Sequence, residues 1–366
     1  MRHTELFYLL ALQKAEGIGD VSIKKLLAHC GSAEAVFQAK WPQLAKIDGI
    51  GTFRLRNIHQ KSNLIQAEGE LSFIEKHGIR AYGFLDDDYP FRLKHCPDGP
   101  VILFSSGNIG LADRKIISIV GTRQATPHGI EACRQIIADL TPVNPIIVSG
   151  FAYGIDIAAH LAALDNGLQT IGVLAHGLDQ IYPKQHQKYA RQMEANGGFF
   201  TEFWSNTAPN RENFLRRNRI VAGVSEATIV IESAEKGGSL VTANIANDYN
   251  RDVFAVPGRV TDHFSRGCHN LIKSQKAMLL TGAADLVYQL NWDLQQQPKP
   301  VQTQLFLALD PDEQPVYDFL KANGRQQLDH LALGCGLPVS KTSSILLGLE
   351  LKNAVRPLPG KSFEVI

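Results

Sequence analysis

Six short apolar runs, most of them separated by a stretch of helix length, constrain this chain more than any other feature. They are Ile116–Val120, Ile146–Ser149, Thr170–Leu174, Phe199–Glu202, Thr228–Glu232 and Val253–Val256. Each is continuous and not alternating, the pattern of a strand buried on both faces. Between them, Gly129–Leu140, Ile155–Asn166 and Leu240–Tyr249 are long enough to cross back over a sheet as helices. Strand, helix and strand in that order predict a parallel sheet covered on both sides. The expected fold class is therefore α/β, an extended Rossmann-like parallel sheet at residues 76–290.

The flanks read differently. Residues 1–75 are expected to be helical, with two similar turns, Gly17-Ile18-Gly19 and Ile47-Asp48-Gly49-Ile50-Gly51, each leading into an apolar-periodic stretch. Both resemble a helix-hairpin-helix unit, whose turn can offer backbone N–H groups to a phosphate. A plain helical turn with permissive glycines explains them equally well. Residues 78–110, with Asp88-Tyr89-Pro90 and Pro97-Asp98-Gly99-Pro100, read as an irregular lead-in. Asn291–Gln304 reads as a Pro/Gln linker. Residues 305–366 read as a small winged helix, with helices at Gln314–Ala322, Leu328–Leu333 and Ser340–Lys352 and a strand pair at Val355–Ile366.

Composition narrows the partners. Lys plus Arg number 37 against 36 acidic residues, so a nucleic-acid binder of this kind must gather its basic residues locally. Five cysteines are scattered without a C-x-x-C pair, which points to neither a zinc site nor a disulfide framework. The apolar patch at the start is too soon interrupted by charge for a signal peptide, and no apolar run approaches a membrane span. A cytoplasmic protein with no membrane partner is expected.

Parallel α/β sheets bind ligands outside the carboxyl ends of their strands. After the first run stand Gly121, which lets backbone approach a phosphate, and Arg123, a planar fork for it. After the second, Ser149-Gly150-Phe151-Ala152-Tyr153-Gly154 opens a helix, so that Gly150 and Gly154 could shape an anion nest. The third loop adds Lys184. The densest basic cluster, Arg211, Arg216, Arg217 and Arg219 beside Phe214 and Asn218, suits a groove that tracks a phosphate backbone beside a stacking ring. Lys236, Gly238 and Ser239 lie on a further glycine-rich strand-to-helix turn.

Taken together and in order, S-I-V-G-T-R, S-G-F-A-Y-G-I-D, G-L-D-Q-I-Y-P, F-L-R-R-N-R-I-V-A-G, G-G-S-L-V-T-A, F-A-V-P-G and C-H-N-L-I resemble the DprA/Smf family over residues 80 to 290. The resemblance implies single-stranded DNA binding, protection of incoming DNA, and delivery of RecA recombinase onto strands coated by single-strand-binding protein during natural transformation. It also implies a homodimer; no cofactor or metal is expected. It puts DNA contact first on Arg123 and Lys184, then on Arg217 and Arg219. The sequence departs from the family at Leu215, usually proline, at His186 and His269, usually asparagine, and at Lys276, where glycine is common.

The rival is a nucleotide-handling enzyme of the phosphoribohydrolase kind. Gly237-Gly238-Ser239-Leu240-Val241-Thr242-Ala243-Asn244 looks like the G-G-x-G-T-x-x-E loop of such enzymes, but Leu240 replaces the third glycine and Asn244 the glutamate. Asp156, Asp179, Glu202 and Glu232 stand at strand ends, where carboxylates are often caps. No G-x-x-x-x-G-K-[ST] or G-x-G-x-x-G loop is present. The expectation is a binding protein and not an enzyme.

Overall fold

The structure, a computed structural model, describes residues 3–47, 49–292, 309–352, 354–358 and 361–365. The chain divides into two units, Met1–Leu294 and Gln295–Ile366, each with its own core.

The first unit opens with helices α1 (His3–Lys14), α2 (Asp20–Cys30), α3 (Ala33–Gln38), α4 (Trp41–Leu44), α5 (Thr52–Ile58) and α6 (Lys61–Lys76). Gly17 and Gly49 in the two hairpin turns have φ of +78° and +80°, a left-handed backbone that favours glycine. Asp48 lies outside the described residues. Leu10, Ile23, Leu26 and Leu55 pack in one cluster with Val101, Ile102 and Phe104, so the helical front shares its core with the edge of the sheet.

The sheet and its helices follow as β1 (Arg80–Gly83), α7 (Phe91–Lys94), β2 (Ile102–Gly107), β3 (Ile116–Val120), α8 (Pro127–Asp139), β4 (Ile146–Ser149), α9 (Ile155–Asp165) and β5 (Thr170–Val173). Next come α10 (Gln187–Ala195), β6 (Gly197–Thr201), α11 (Arg211–Val224), β7 (Ala227–Val230), α12 (Gly238–Asp248), β8 (Asp252–Ala255), α13 (Arg266–Lys273), β9 (Met278–Leu279) and α14 (Ala283–Gln289). The strand order is β1-β2-β6-β5-β4-β3-β7-β8-β9, parallel from β6 to β9. The chain winds from β3 outward to β6, then returns to the other side of β3 as β7. That reversal is the switch point at which doubly wound sheets open a crevice. The six predicted runs become β3 to β8, with ends shifted by a residue or two.

Residues 78–110 are not the irregular lead-in that their prolines suggest. β1 and β2 form an antiparallel pair, Arg80 opposite Ser105 and Gly83 opposite Ile102, and β2 adds antiparallel to β6, Phe104 opposite Thr201. The short apolar core of β2 is hidden between Pro100 and Gly107, so the turn residues dominate the pattern. β6 also starts earlier than Phe199. Gly197 and Gly198 have φ of +137° and +148°, and a Cβ there would run into the carbonyls of Thr170 and Ser106 on the neighbouring strands.

The second unit contains α15 (Gln314–Asn323), β10 (Gln326–Gln327), α16 (Leu328–Gly334), α17 (Val339–Leu351), β11 (Val355–Leu358) and β12 (Ser362–Val365), with sheet order β10-β12-β11. Three helices and an antiparallel wing around Val316, Leu331, Leu346 and Val355 make the expected winged helix. The expected linker lies, from residue 293 on, outside the described residues. Among the described residues, no single helix is long and apolar enough to cross a membrane.

Candidate nucleic-acid interface

At the switch point the loops after β3, β4 and β7 and the first turns of α11 enclose a cleft of about 660 Å³. Gly121, Thr122 and Arg123 line it from the first loop, Gly150, Ala152 and Asp156 from the second, and Lys236 to Ser239 from the third. The fourth wall is α11, which presents Arg211, Phe214, Leu215, Arg217, Asn218 and Val221. These positions recur at three- and four-residue intervals and so share one helical face. Gly121 lies against Ile155, where a Cβ would collide with the isoleucine side chain.

The basic groups at the mouth are arranged around rings. The Arg123 guanidinium is exposed and 5.2 Å from the Phe214 ring centroid, and Tyr182 stands against the same ring at 5.9 Å. Arg211 and Lys236 are exposed cations on opposite walls. The amides of α12 begin at Gly237 with no side-chain cap, so their positive dipole end faces the cleft. Ser239 is buried, and its hydroxyl donates to the Ser233 hydroxyl at 2.9 Å. The second loop offers less than its glycines suggest. Asp156 turns back to accept from the Ala152 amide (3.4 Å), and the Ile155 amide donates to the Thr122 carbonyl (3.2 Å). Gly150 lines the cleft; Gly154 stands behind it, with φ +75° and no room for a Cβ beside Thr122.

Arg217 forms the floor. It is buried, and its Nη1 donates to the carbonyls of Gly150 (2.5 Å) and Val173, which ties together the ends of β4 and β5. Burial lowers its pKa to about 10 although Asp156 opposes this, and the same burial raises Asp156 despite Arg217. The arginine is thus a strut under the site more than a free phosphate ligand.

The structure does not bring every expected residue to the cleft. Arg219 is buried on the far side of α11, paired with Glu202 and, at 3.3 Å, with Asp20 of α2. Arg216 meets the same two carboxylates, at 2.7 and 3.3 Å. Lys184 is exposed just after Tyr182-Pro183 but is not part of the lining. Conversely Arg211, visible in the sequence only as one member of the cluster, and Tyr182 both line the cleft. The helical spacing of Arg211, Phe214 and Asn218 is the signal that separates them from Arg216 and Arg219.

The strand-end carboxylates are engaged structurally. Glu232 accepts from the Thr126 amide (2.9 Å) and hydroxyl (2.5 Å) and so anchors the start of α8. Asp179 accepts from the Asn206 amide at 3.0 Å, and Glu202 holds the two arginines. The two histidine departures are also accommodated. His186 and His269 each set a ring nitrogen on a backbone carbonyl, Phe151 at 3.1 Å and Gly258 at 3.0 Å, a contact that an asparagine amide can make equally well.

Comparison with known proteins agrees with this architecture. The family described as DNA recombination-mediator protein A matches residues 80–291, and the DprA winged helix domain matches residues 298–361. Protein Smf of Synechocystis sp. is 36% identical over 289 residues, covering 77% of this chain and 72% of that protein. The X-ray structure of DNA processing protein A from Streptococcus pneumoniae superposes with a TM-score of 0.66 at 33% identity, covering 79% of this chain and 98% of that one. DNA processing protein A from Helicobacter pylori, a structure described for its single-stranded DNA binding mode, gives a TM-score of 0.53 at 27% identity over 58% of this chain and 95% of that one. A matched core, a matched tail and a relative covered over most of its length make this chain a member of the DprA/Smf family of DNA-processing proteins.

Proposed function

We propose that the cleft binds single-stranded DNA with little sequence preference, and that the protein protects incoming DNA in the cytoplasm and helps to load RecA during natural transformation. The observation that carries the reading is that three exposed cations, Arg123, Arg211 and Lys236, line one cleft together with the Phe214–Tyr182 ring pair. Cations that track a backbone beside rings on which bases stack are the general means of holding a single strand. The single-stranded DNA binding named for the Helicobacter pylori relative supports the same reading. Such contacts read phosphates and base faces and not base edges, so affinity should vary little with sequence.

The role is binding and not catalysis. Asp156, Asp179, Glu202 and Glu232 all hold backbone amides or arginines, and Asn244 accepts from Lys276 at 3.2 Å in place of a catalytic glutamate. Self-association into a two-fold dimer would put two clefts on one strand and raise apparent affinity by linkage. The edge strand β9, with Leu279 half exposed, lies within the apolar stretch Leu271–Leu280 that we assign to that contact. RecA and DNA coated by single-strand-binding protein are the proposed partners.

The test is a binding titration with single- and double-stranded DNA at two salt concentrations. Arg123→Ala combined with Arg211→Ala should weaken single-strand binding by about 30-fold or more, at ~1–2 kcal/mol for each charged contact. Unchanged binding in that folded double variant refutes the site. RecA filament formation on coated DNA, with light scattering for the dimer, tests the partners separately.

A further inference from the structure

A second cleft, of about 260 Å³, opens on the other side of the segment that walls the first. Gln13, Lys14, Gly19, Trp204, Thr207 and Arg216 are among its lining residues. It therefore lies between the first hairpin of the helical front and α11.

Lys14 is the unusual member. Half buried, its Nζ sits 4.0 Å from the centroid of the Trp204 indole, and among the described residues it has no hydrogen bond or ion pair. The acid that acts on it electrostatically, Glu70, is already engaged: one oxygen accepts from the Ser205 amide (2.9 Å), the other from the Ser205 hydroxyl (2.5 Å). A cation drawn partly out of water, with an indole face against it and no ion pair among the described residues, is a site that an anion completes.

The surroundings suit a phosphate. Helix α2 starts at Gly19 with no side-chain cap. Asp20, the first residue of the helix, has both carboxylate oxygens engaged: one accepts from the Val101 amide at 3.1 Å and the other faces Arg216 and Arg219. Arg216 is half exposed, so one side of its guanidinium meets the acids and the other meets solvent. Asp20 and Glu202 also line the cleft, but both are paired with Arg216 and Arg219, which leaves Lys14 as its lining cation without an ion pair among the described residues.

The two clefts share a wall. Thr207 lines the second and Pro209 the first, and along α11 Phe214 and Leu215 line the first while Arg216 lines the second. Leu215, next to Arg216 in the chain, is exposed, so no buried side chain of α11 stands at that point of the shared wall. We infer that the hairpin cleft is a second phosphate subsite, in which Lys14, Arg216 and the amide end of α2 hold the continuation of the strand bound in the first cleft. This rests on the proposed single-stranded DNA binding of the first cleft.

The test varies strand length with the full chain. Oligothymidylates of about 5 and about 25 nucleotides bracket the site sizes over which one groove and then two can be filled. Lys14→Ala should leave the short strand bound as in the wild type, weaken the long strand by about 5- to 10-fold, and flatten its salt slope by roughly 0.7, one single-strand phosphate. Lys14→Gln, which keeps the stem over the indole, should reproduce the loss, and Lys14→Arg should restore binding. Arg123→Ala with Arg211→Ala should weaken both lengths. Long-strand binding unchanged in both Lys14→Ala and Lys14→Gln, or equal loss at both lengths, overturns the second subsite and leaves the first standing. A wild type that binds neither strand overturns the reading beneath it, and this one with it.

Discussion

One helix carries two opposite uses of arginine. On the face of α11 that lines the first cleft, Arg211 is exposed beside Phe214, with Asn218 one turn on. On the opposite face, Arg219 is buried against Glu202 and Asp20, and Arg216 leans on the same acids. Four arginines within nine residues are therefore not one basic patch. The cleft face leaves Arg211 exposed and without an ion pair among the described residues. The far face spends its charge on a joint between the sheet, through Glu202, and the helical front, through Asp20. Density of charge along a chain says little about a surface until the helical period sorts it.

The comparison is tested hardest by removing one arginine from each face. Arg219→Ala strands the Glu202 carboxylate, whose Oε1 already lacks a partner. Breaking a buried pair in this way costs about 3–4 kcal/mol, towards the low end of the usual range because Arg216 still faces Glu202 at 2.7 Å. Arg211→Ala, at an exposed position, should change stability by less than ~0.5 kcal/mol while weakening DNA binding. Urea unfolding followed by tryptophan fluorescence reads the first unit alone, since Trp41, Trp204 and Trp292 all lie in it. Equal stability losses in the two variants would erase the distinction between the faces.

How much of this was legible in the sequence depends on the range of the interaction. Continuous apolar runs such as Ile116–Val120 and Ile146–Ser149 predicted strands with those same ends, because burial on both faces leaves a local mark. The gathering of Gly121, Arg123, Lys236 and Ser239 into one cleft followed from the rule that strand carboxyl ends converge. β2 was missed because its partner, β6, lies some ninety residues away and its own run is short. The fate of Arg219 was equally out of reach: Asp20 is 199 residues distant and nothing local announces the pair. Arg211 is named in the sequence only as one of four clustered arginines; its spacing from Phe214 and Asn218, a helical face, is what sets it apart from Arg216 and Arg219.

The joint has a pH dependence of its own. Burial raises Glu202 from an ordinary 4.5 to about 6, against the pull of Arg219 and Arg216. A carboxyl that binds its proton more tightly when folded adds stability as pH falls, fully below about 4.5, and loses that contribution as pH rises through about 6. Relative to Glu202→Gln, which cannot titrate, the wild type should therefore lose on the order of 1–2 kcal/mol between pH 4.5 and pH 7. Urea midpoints measured for both proteins across that range check it. A constant difference between them would mean that the joint stays charged throughout.

The smallest effect falls on the far-face arginine that is still exposed. Arg216 is half exposed, so its pairs with Asp20 and Glu202 are wet on one side, and such pairs contribute about 0–1 kcal/mol to stability. Arg216→Ala should therefore unfold almost as the wild type does, unlike Arg219→Ala. If the strand continues toward Lys14, the same variant should weaken a long oligothymidylate by about 2- to 3-fold, less than a fully free phosphate contact because two acids already share the guanidinium. A short strand confined to the first cleft should not register the change. Measured at two salt concentrations, the long-strand loss should shrink as salt rises, since the contact is ionic and partly exposed. A loss that is independent of strand length would instead mean that removing Arg216 disturbs α11 itself, and that the two faces of the helix are mechanically one.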